Sequence, residues 1–425
     1  MAKKAYIGVS NVAKNIKKMY VGVNGVAKKV KKGYVGVNNI ARLFFAPVSG
    51  TLVFDRSITD YNDFNAWEKM ERGINIGDYL LFCGGRNGYT NSSQYERVSV
   101  INKSFTRCYA DWLSRKLEET GTTSLSTYAI SAGGYGYSYV SSTIHAYNSA
   151  LTQTTGSMTY LRRSMGSVVV NDSAYFVGGT NVAGDNQRYG SAPVGISKVS
   201  NSLTLTEYNT YTAGQCCAAP TKSYGVVMKG VTDTTNREHH IEVIAISSNG
   251  TVTQLPNIVP YYSYMNDTTN KTYQKLVGIT ASYIPDEAAV FIEGSYRQAP
   301  TYYGSNSNTT TYNVEACVYN DSLTRTVVGQ VTTVLEQTRE YRGIGDLAVF
   351  ISDPNNPYGY STASAQWLYT VDSNQTARYF HLYETDRMDA GLGVIGDYMV
   401  IGGGYGYYDD AYNTPAAEVI KYVES

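Results

Sequence analysis

Tyr79-Leu80-Leu81-Phe82-Cys83 is an apolar run stopped by the pair Gly84-Gly85. A strand with one wet face alternates apolar and polar residues, so an unbroken run of this length predicts a strand covered on both faces. The motif returns along the chain. Ala129-Ile130-Ser131-Ala132 precedes Gly133-Gly134, Ala174-Tyr175-Phe176-Val177 precedes Gly178-Gly179, and Tyr398-Met399-Val400-Ile401 precedes Gly402-Gly403. Three weaker copies fill the gap: Val226-Val227-Met228 before Lys229-Gly230, Val290-Phe291-Ile292 before Glu293-Gly294, and Val349-Phe350-Ile351 before Ser352-Asp353. Successive breaks lie 49, 45, 51, 64, 59 and 50 residues apart. The longer intervals predict loop insertions.

A second signal keeps the same phase. Asn102-Lys103-Ser104-Phe105-Thr106, Asn148-Ser149-Ala150-Leu151-Thr152, Ser200-Asn201-Ser202-Leu203-Thr204, Asn320-Asp321-Ser322-Leu323-Thr324 and Asp372-Ser373-Asn374-Gln375-Thr376 each read as a polar hairpin turn that re-enters a strand at Thr. Ser248-Asn249-Gly250-Thr251-Val252-Thr253 is a looser copy. A third recurring element, Gly77-Asp78-Tyr79, Gly345-Asp346-Leu347 and Gly396-Asp397-Tyr398, predicts the turn between first and second strands, with each Asp a turn former rather than an acid. No fourth strand follows the last strand-like stretch, Glu418-Val419-Ile420-Lys421-Tyr422-Val423-Glu424-Ser425, whereas Ser49-Gly50-Thr51-Leu52-Val53-Phe54 reads like the far side of such a hairpin. The expectation is that the first strand of the domain completes the last repeat and leaves no open sheet edge.

Seven repeats of about 50 residues, each one small sheet, predict an all-β, seven-bladed β-propeller, with six blades as the alternative count. The strands ending in Gly-Gly resemble those of kelch-repeat propellers over residues 49 to 425. Arg72, Arg163 and Arg342 stand where that family carries an Arg, but the other repeats lack it, and the later Tyr and Trp pair of the family is mostly absent. The resemblance implies fold more than function.

The first 42 residues are a different object. A 14-residue unit occurs three times, as Lys3-Lys4-Ala5-Tyr6-Ile7-Gly8-Val9, Lys17-Lys18-Met19-Tyr20-Val21-Gly22-Val23 and Lys31-Lys32-Gly33-Tyr34-Val35-Gly36-Val37. Ser10-Asn11, Asn24-Gly25 and Asn38-Asn39 follow as hairpin turn pairs, then Val12-Ala13-Lys14, Val26-Ala27-Lys28 and Ile40-Ala41-Arg42. A unit this short buries no apolar face alone, so the repeats must stack on one another, on another subunit or on a partner. The domain expectation is therefore 1–45, a basic attachment or oligomerisation segment bearing Tyr6, Tyr20, Tyr34, Lys17, Lys18, Lys31 and Lys32, followed by the propeller over 46–425. These repeats resemble Lys-Lys-x-Tyr-Ile-Gly-Val arrays of tail-region proteins of phages and prophages. That resemblance implies a place on a virion tail and contacts through 1–45 to other tail or baseplate proteins.

Charge divides along the same line. The chain holds 35 basic and 35 acidic residues, and nine Lys and one Arg with no acid fall in residues 1–42, so residues 43–425 carry a balance of minus ten. Ten positive charges alone also suit an anion; the partner expectation is nonetheless no nucleic acid and no membrane insertion. No apolar run reaches the roughly 18 residues of a membrane helix, and Gly8, Ser10, Asn11 and Lys14 interrupt any signal-peptide stretch. The expected route is synthesis in the host cytoplasm without a leader. Five cysteines without CxxC spacing read as buried thiols rather than as a disulfide framework or zinc site.

Of the chain's 425 residues only 16% are charged, while Tyr outnumbers Phe by 41 to 10. A core that needed only bulk could use Phe, whereas Tyr suits positions where the ring is covered and the hydroxyl is wet. Part of the excess gathers after the glycine breaks, in loops joining second to third strands on one face of the ring. The expected ligand-binding residues there are Tyr89, Tyr135, Tyr137, Tyr139, Tyr189, Tyr302, Tyr303, Tyr358, Tyr360, Tyr405, Tyr407, Tyr408, Asp409 and Asp410. Tyr, Gly, Ser and Asn together form an adaptable recognition vocabulary, and flat aromatic faces stack on sugar rings. The alternative is that these tyrosines only cover the rim.

Catalysis finds little support. The four histidines, His145, His239, His240 and His381, do not form a cluster in sequence; adjacent strand residues point to opposite faces, so His239 and His240 rarely share a metal. Asp-box, P-loop, GxSxG and HExxH motifs are lacking, and no metal or cofactor is expected. The functional expectation is a phage tail or tail-fibre adhesin, homo-oligomeric with a trimer among the forms considered, that binds a bacterial cell-surface polysaccharide. A structural baseplate or decoration protein is the alternative, and a glycan depolymerase the third.

Overall fold

The computed structural model describes 50–58, 69–86, 98–114, 117–136, 139–181, 195–208, 214, 216–233, 238–259, 273–298, 310–331, 339–352, 367–381, 390–403 and 417–424, with the backbone alone of 6–9, 12–15, 20–23, 26–29, 33–37 and 40–45. These residues contain strands and turns and no helix. Seven small sheets form a seven-bladed β-propeller, and three two-stranded hairpins precede it.

Blade I is Ile74–Ile76, Tyr79–Cys83, Val98–Asn102 and Arg107–Cys108; blade II is Gly121–Ser124, Ala129–Ala132, Thr143–Tyr147 and Gln153–Ser157. Blade III is Gly166–Val170, Ser173–Val177, Ile196–Ser200 and Leu205–Tyr208; blade IV is Cys216–Pro220, Tyr224–Asp233, Glu238–Ser247 and Val252–Ile258. Blade V runs Tyr273–Ile284, Ala288–Gln298, Thr310–Tyr319 and Arg325–Val331, and blade VI has Leu347–Ser352, Trp367–Asp372 and Ala377–His381. Arg339–Glu340, leading into blade VI, instead pairs in parallel with the first strand of blade V. In blade VII, Gly391–Ile395, Tyr398–Gly402 and Ala417–Val423 are joined by Thr51–Ile58, which runs antiparallel to Ala417–Val423 from Val423↔Thr51 to Ala417↔Ile58. The ring is closed by its own first strand.

The second strands show why the apolar runs are unbroken. Leu80, Leu81, Phe82 and Cys83 are all fully buried, but Leu80 and Phe82 enter the core shared with blade VII, while Leu81 and Cys83 enter the core shared with blade II. In blade III, Ala174 and Phe176 face blade II and Tyr175 and Val177 face blade IV. Each second strand is thus sandwiched between two neighbours, and both of its faces need apolar side chains.

The glycine pairs end these strands where the backbone turns left-handed: φ is 86° at Gly84, 64° at Gly133 and 63° at Gly178. A Cβ on Gly133 would lie 2.3 Å from the Arg162 carbonyl oxygen. In blade VII the sequence expectation is displaced by one residue, since Gly402 still pairs with Gly391 and the left-handed residue is Gly403, at 68°.

The turns between third and fourth strands are nearly identical. Asn102 Oδ1 accepts bonds from the Ser104 and Thr106 N–H groups (2.9 and 3.0 Å), and Asn148, Asn320 and Asp372 repeat the pattern. The residue before each Thr is left-handed, at φ 59° for Phe105, 62° for Leu151, 59° for Leu203, 57° for Leu323 and 59° for Gln375; blade IV uses Gly250. A left-handed non-glycine costs about 1–2 kcal/mol. Packing offsets it: Leu151, Leu203 and Leu323 lie against cores between blades, and the Phe105 ring meets Tyr398 edge-on at 5.1 Å.

The repeats form the hairpins Tyr6–Val9 with Val12–Asn15, Tyr20–Val23 with Val26–Lys29, and Gly33–Val37 with Ile40–Phe45. The registers correspond: Gly8↔Ala13, Gly22↔Ala27 and Gly36↔Ala41.

Candidate functional site

Strand direction gives the ring two unlike faces. The turns between first and second strands and between third and fourth strands lie on one, the turn face. The second and fourth strands end, and the third and first strands begin, at the other, the loop face. Gly50, where the chain enters the ring, is on the turn face: its N–H donates to Asp346 Oδ1 (3.1 Å), which also accepts from the Tyr422 hydroxyl (2.8 Å). Asp346 and Asp78 behave as turn residues; Asp78 accepts from Lys103 Nζ, and the Asp397 carbonyl from the Tyr422 N–H.

On the loop face, Tyr135 and Tyr139 fall within the described residues. Tyr89, Tyr137, Tyr189, Tyr302, Tyr303, Tyr358, Tyr360, Tyr405, Tyr407, Tyr408, Asp409 and Asp410 lie outside them, as do Lys17, Lys18, Lys31 and Lys32. Tyr6, Tyr20 and Tyr34 take their places in the first strands of the hairpins.

Blade II shows how one loop is held. Tyr135–Gly136 and Tyr139–Val140 pair as a small hairpin, and the Tyr135 backbone also bridges Glu118 through two hydrogen bonds. The Arg163 guanidinium lies 4.6 Å over the Tyr135 ring and 3.5 Å from Glu119. Glu119 accepts from the Ser164 hydroxyl, and its N–H donates to Glu71 (2.6 Å). Tyr139 packs against the core between blades I and II. Both rings are half-buried, so these two tyrosines brace the loop as well as lining it.

Charged side chains bond across the first strands of neighbouring blades. Arg72, buried, and Glu340, nearly so, form an ion pair at 2.9 Å. Glu340 accepts from the N–H groups of Ser167 (2.8 Å) and Ala218 (2.7 Å) and from the Ser167 hydroxyl (2.6 Å), while Arg72 donates to the Thr122 carbonyl and the Ser167 hydroxyl. One pair thereby ties the first strands of blades II, III and IV to the residues that lead into blades I and VI. Burial raises the Glu340 carboxyl, with the Arg72 charge and the N–H donors pulling the other way, and burial lowers Arg72. Arg342 adds a second layer by donating to the Gly73 carbonyl, the Tyr283 hydroxyl and Ser124 Oγ at 3.2 Å each. The sequence carried a sign of this in the parallel triplets Arg72-Gly73-Ile74 and Arg342-Gly343-Ile344, but nothing in it names Glu340 as the partner.

His145 and four of the five cysteines are buried. His145, fully buried, accepts from the Ser114 N–H (3.1 Å) and contacts its hydroxyl (2.8 Å); burial pulls the imidazole down to about 4. The cysteines are free thiols, four buried and Cys108 half-buried, and burial pushes Cys216 and Cys317 up to about 12. His239 and His240 lie within the third strand of blade IV, in a hairpin that extends ten residues on each side. Where blades IV and V lack Gly-Gly, charged pairs appear instead: Lys229 with Glu242 at 2.6 Å and Glu293 with Arg325 at 2.7 Å. Among the described residues no group of three His, Cys, Asp or Glu could hold a metal.

Two exposed aromatics that no motif in the sequence marks lie in the crossing from blade I to blade II. Tyr109 is 75% and Trp112 54% exposed, with the Arg107 guanidinium 4.7 Å over the Tyr109 ring. Asp111 and the Trp112 carbonyl are tied to Gln153 at 3.0 and 2.9 Å. No protein-family model matches this chain, and no curated protein matches it.

Proposed function

We propose that the protein is a receptor-binding adhesin of a phage tail that engages a bacterial surface polysaccharide through the loop face of its propeller. The observation that carries this reading is the polarity of the ring. The chain enters at Gly50 on the turn face, while every loop between second and third strands leaves from the opposite face. On this reading the anchoring segment joins the ring at one face and recognition takes place at the other. The Arg72–Glu340 pair links the first strands of three blades and the residues leading into two others, a rigid support that suits surface binding. The loops share Tyr, Gly, Ser and Asn, the composition that supplies rigid aromatic area and adaptable hydrogen bonds. The phage assignment rests on the resemblance of the 14-residue repeats, and several copies on one particle would multiply weak single-site affinity.

The test is binding to an array of purified bacterial wall and capsular polysaccharides. The full chain and the ring lacking residues 1–45 should bind the same glycan. Replacing Tyr137, Tyr303, Tyr405 and Tyr407 together with Ala should remove binding at an unchanged unfolding midpoint. Binding that follows residues 1–45 instead, or none by the full chain, overturns the reading.

A further inference from the structure

Three hairpins of this size do not account for their own stability. Two-stranded hairpins are marginal in water, and each of these pairs only within itself among the described residues. Their registers also sort residues alike. Strand alternation places Ile7, Val9, Val12 and Lys14 on one face of the first hairpin, and Val21, Val23, Val26 and Lys28 on that of the second. In the third the same positions are Val35, Val37, Ile40 and Arg42. Each hairpin thus offers three β-branched residues and one cation on a face that needs a cover.

Charge says what the cover is. The segment carries plus ten and the rest of the chain minus ten. The turn face holds Asp78, Asp172, Asp286, Glu287, Asp321 and Asp397 in its turns, against Lys103 and Lys222. That acidic face is also where the segment joins the ring, at Gly50. Among the described residues the hairpin strands pair with no strand of the ring.

We propose that residues 1–45 dock on the acidic turn face of a second copy of this chain, in a reciprocal exchange that closes a two-fold dimer. Because the chain joins the ring at Gly50, on the docking face itself, one exchange would satisfy both copies and leave both loop faces outward. The proposal deepens the attachment role of residues 1–45 but rests on charge and strand pairing, so it stands or falls separately from glycan recognition.

Sedimentation of the full chain should give the mass of two chains at about 0.1 M salt and of one at about 1 M, as the screening length falls from about 10 Å to about 3 Å. The neutralising set Asp286→Asn, Glu287→Gln and Asp397→Asn should weaken self-association about tenfold or more. The ring alone, which Thr51–Ile58 closes without the segment, should sediment as one chain at both salts. A full chain that is monomeric at low salt, a dimer indifferent to salt and to the neutralising set, or a ring that dimerises alone overturns the proposal.

Discussion

The turn face and the loop face of the ring are held in opposite ways. The turn face rests on many equivalent devices: an Asn, Asp or Ser accepting two N–H groups, a left-handed residue and a Thr, repeated in blade after blade. The axis behind the loop face rests on few groups, above all Arg72 and Glu340. Repetition spreads the load and makes each copy expendable, whereas a shared axial pair concentrates it. The contrast predicts that single substitutions do most harm at the axis and least in the turns.

Glu340→Ala should be the largest effect. It strands the Arg72 guanidinium in a buried site and leaves the Ser167 and Ala218 N–H groups unpaired, a loss of about 3–5 kcal/mol in urea unfolding. Replacing the pair together, Arg72→Met with Glu340→Leu, should restore much of that loss, because neither charge is then left alone. If Glu340→Ala costs no more than a turn substitution, the axis is not a keystone and the contrast fails.

His145 comes next, through pH. Its imidazole lies near 4 in the folded chain and near 6.5 unfolded, so the unfolded state takes up a proton first as the medium acidifies. The contribution is fully present above pH 6.5 and is lost as pH falls towards 4, about 3 kcal/mol in all. His145→Gln should flatten that part of the stability profile relative to the parent chain. An unchanged slope would remove the buried histidine from the account.

How much of this was legible in the sequence follows the same division. Seven second strands and the turns after them were readable because a repeated geometry demands repeated residues: Leu151, Leu203 and Leu323 recur where the backbone turns left-handed over a core. The exception, Gly402, misled by one position because three consecutive glycines hide which one turns. The axial site was not readable, since Arg72 and Glu340 are far apart in the chain and meet only when the ring closes. Nor was Tyr135 readable as a brace, because the Arg163 above it belongs to the crossing into the next blade. Composition could nominate the loop tyrosines as a group, but it could not say which of them are engaged within the protein.

On the turn face, Asp346 is the residue that departs from equivalence, because it latches the first strand to the last blade through Gly50 and Tyr422. Asp346→Ala should cost about 2 kcal/mol, and hydrogen exchange should quicken first along Thr51–Ile58. A uniform loss of protection around the ring would show that the latch is no different from other turn aspartates.

An ordinary turn should yield less. Asn148→Ala removes the acceptor of two N–H groups and should cost about 1 kcal/mol. Leu203→Gly should cost least, because two terms oppose each other. Glycine relieves the left-handed strain of about 1–2 kcal/mol, but gives up a partly buried leucine worth a similar amount. Blade IV already carries Gly250 at this position and keeps the same hairpin, with its N–H donating to the Ser247 carbonyl at 2.9 Å. Leu203→Gly should therefore move the unfolding midpoint by no more than the equivalent of about 1 kcal/mol. Leu203→Ala keeps the strain and loses the packing, so it should be the worse of the two, and the reverse order would mean that backbone strain plays no part in these turns.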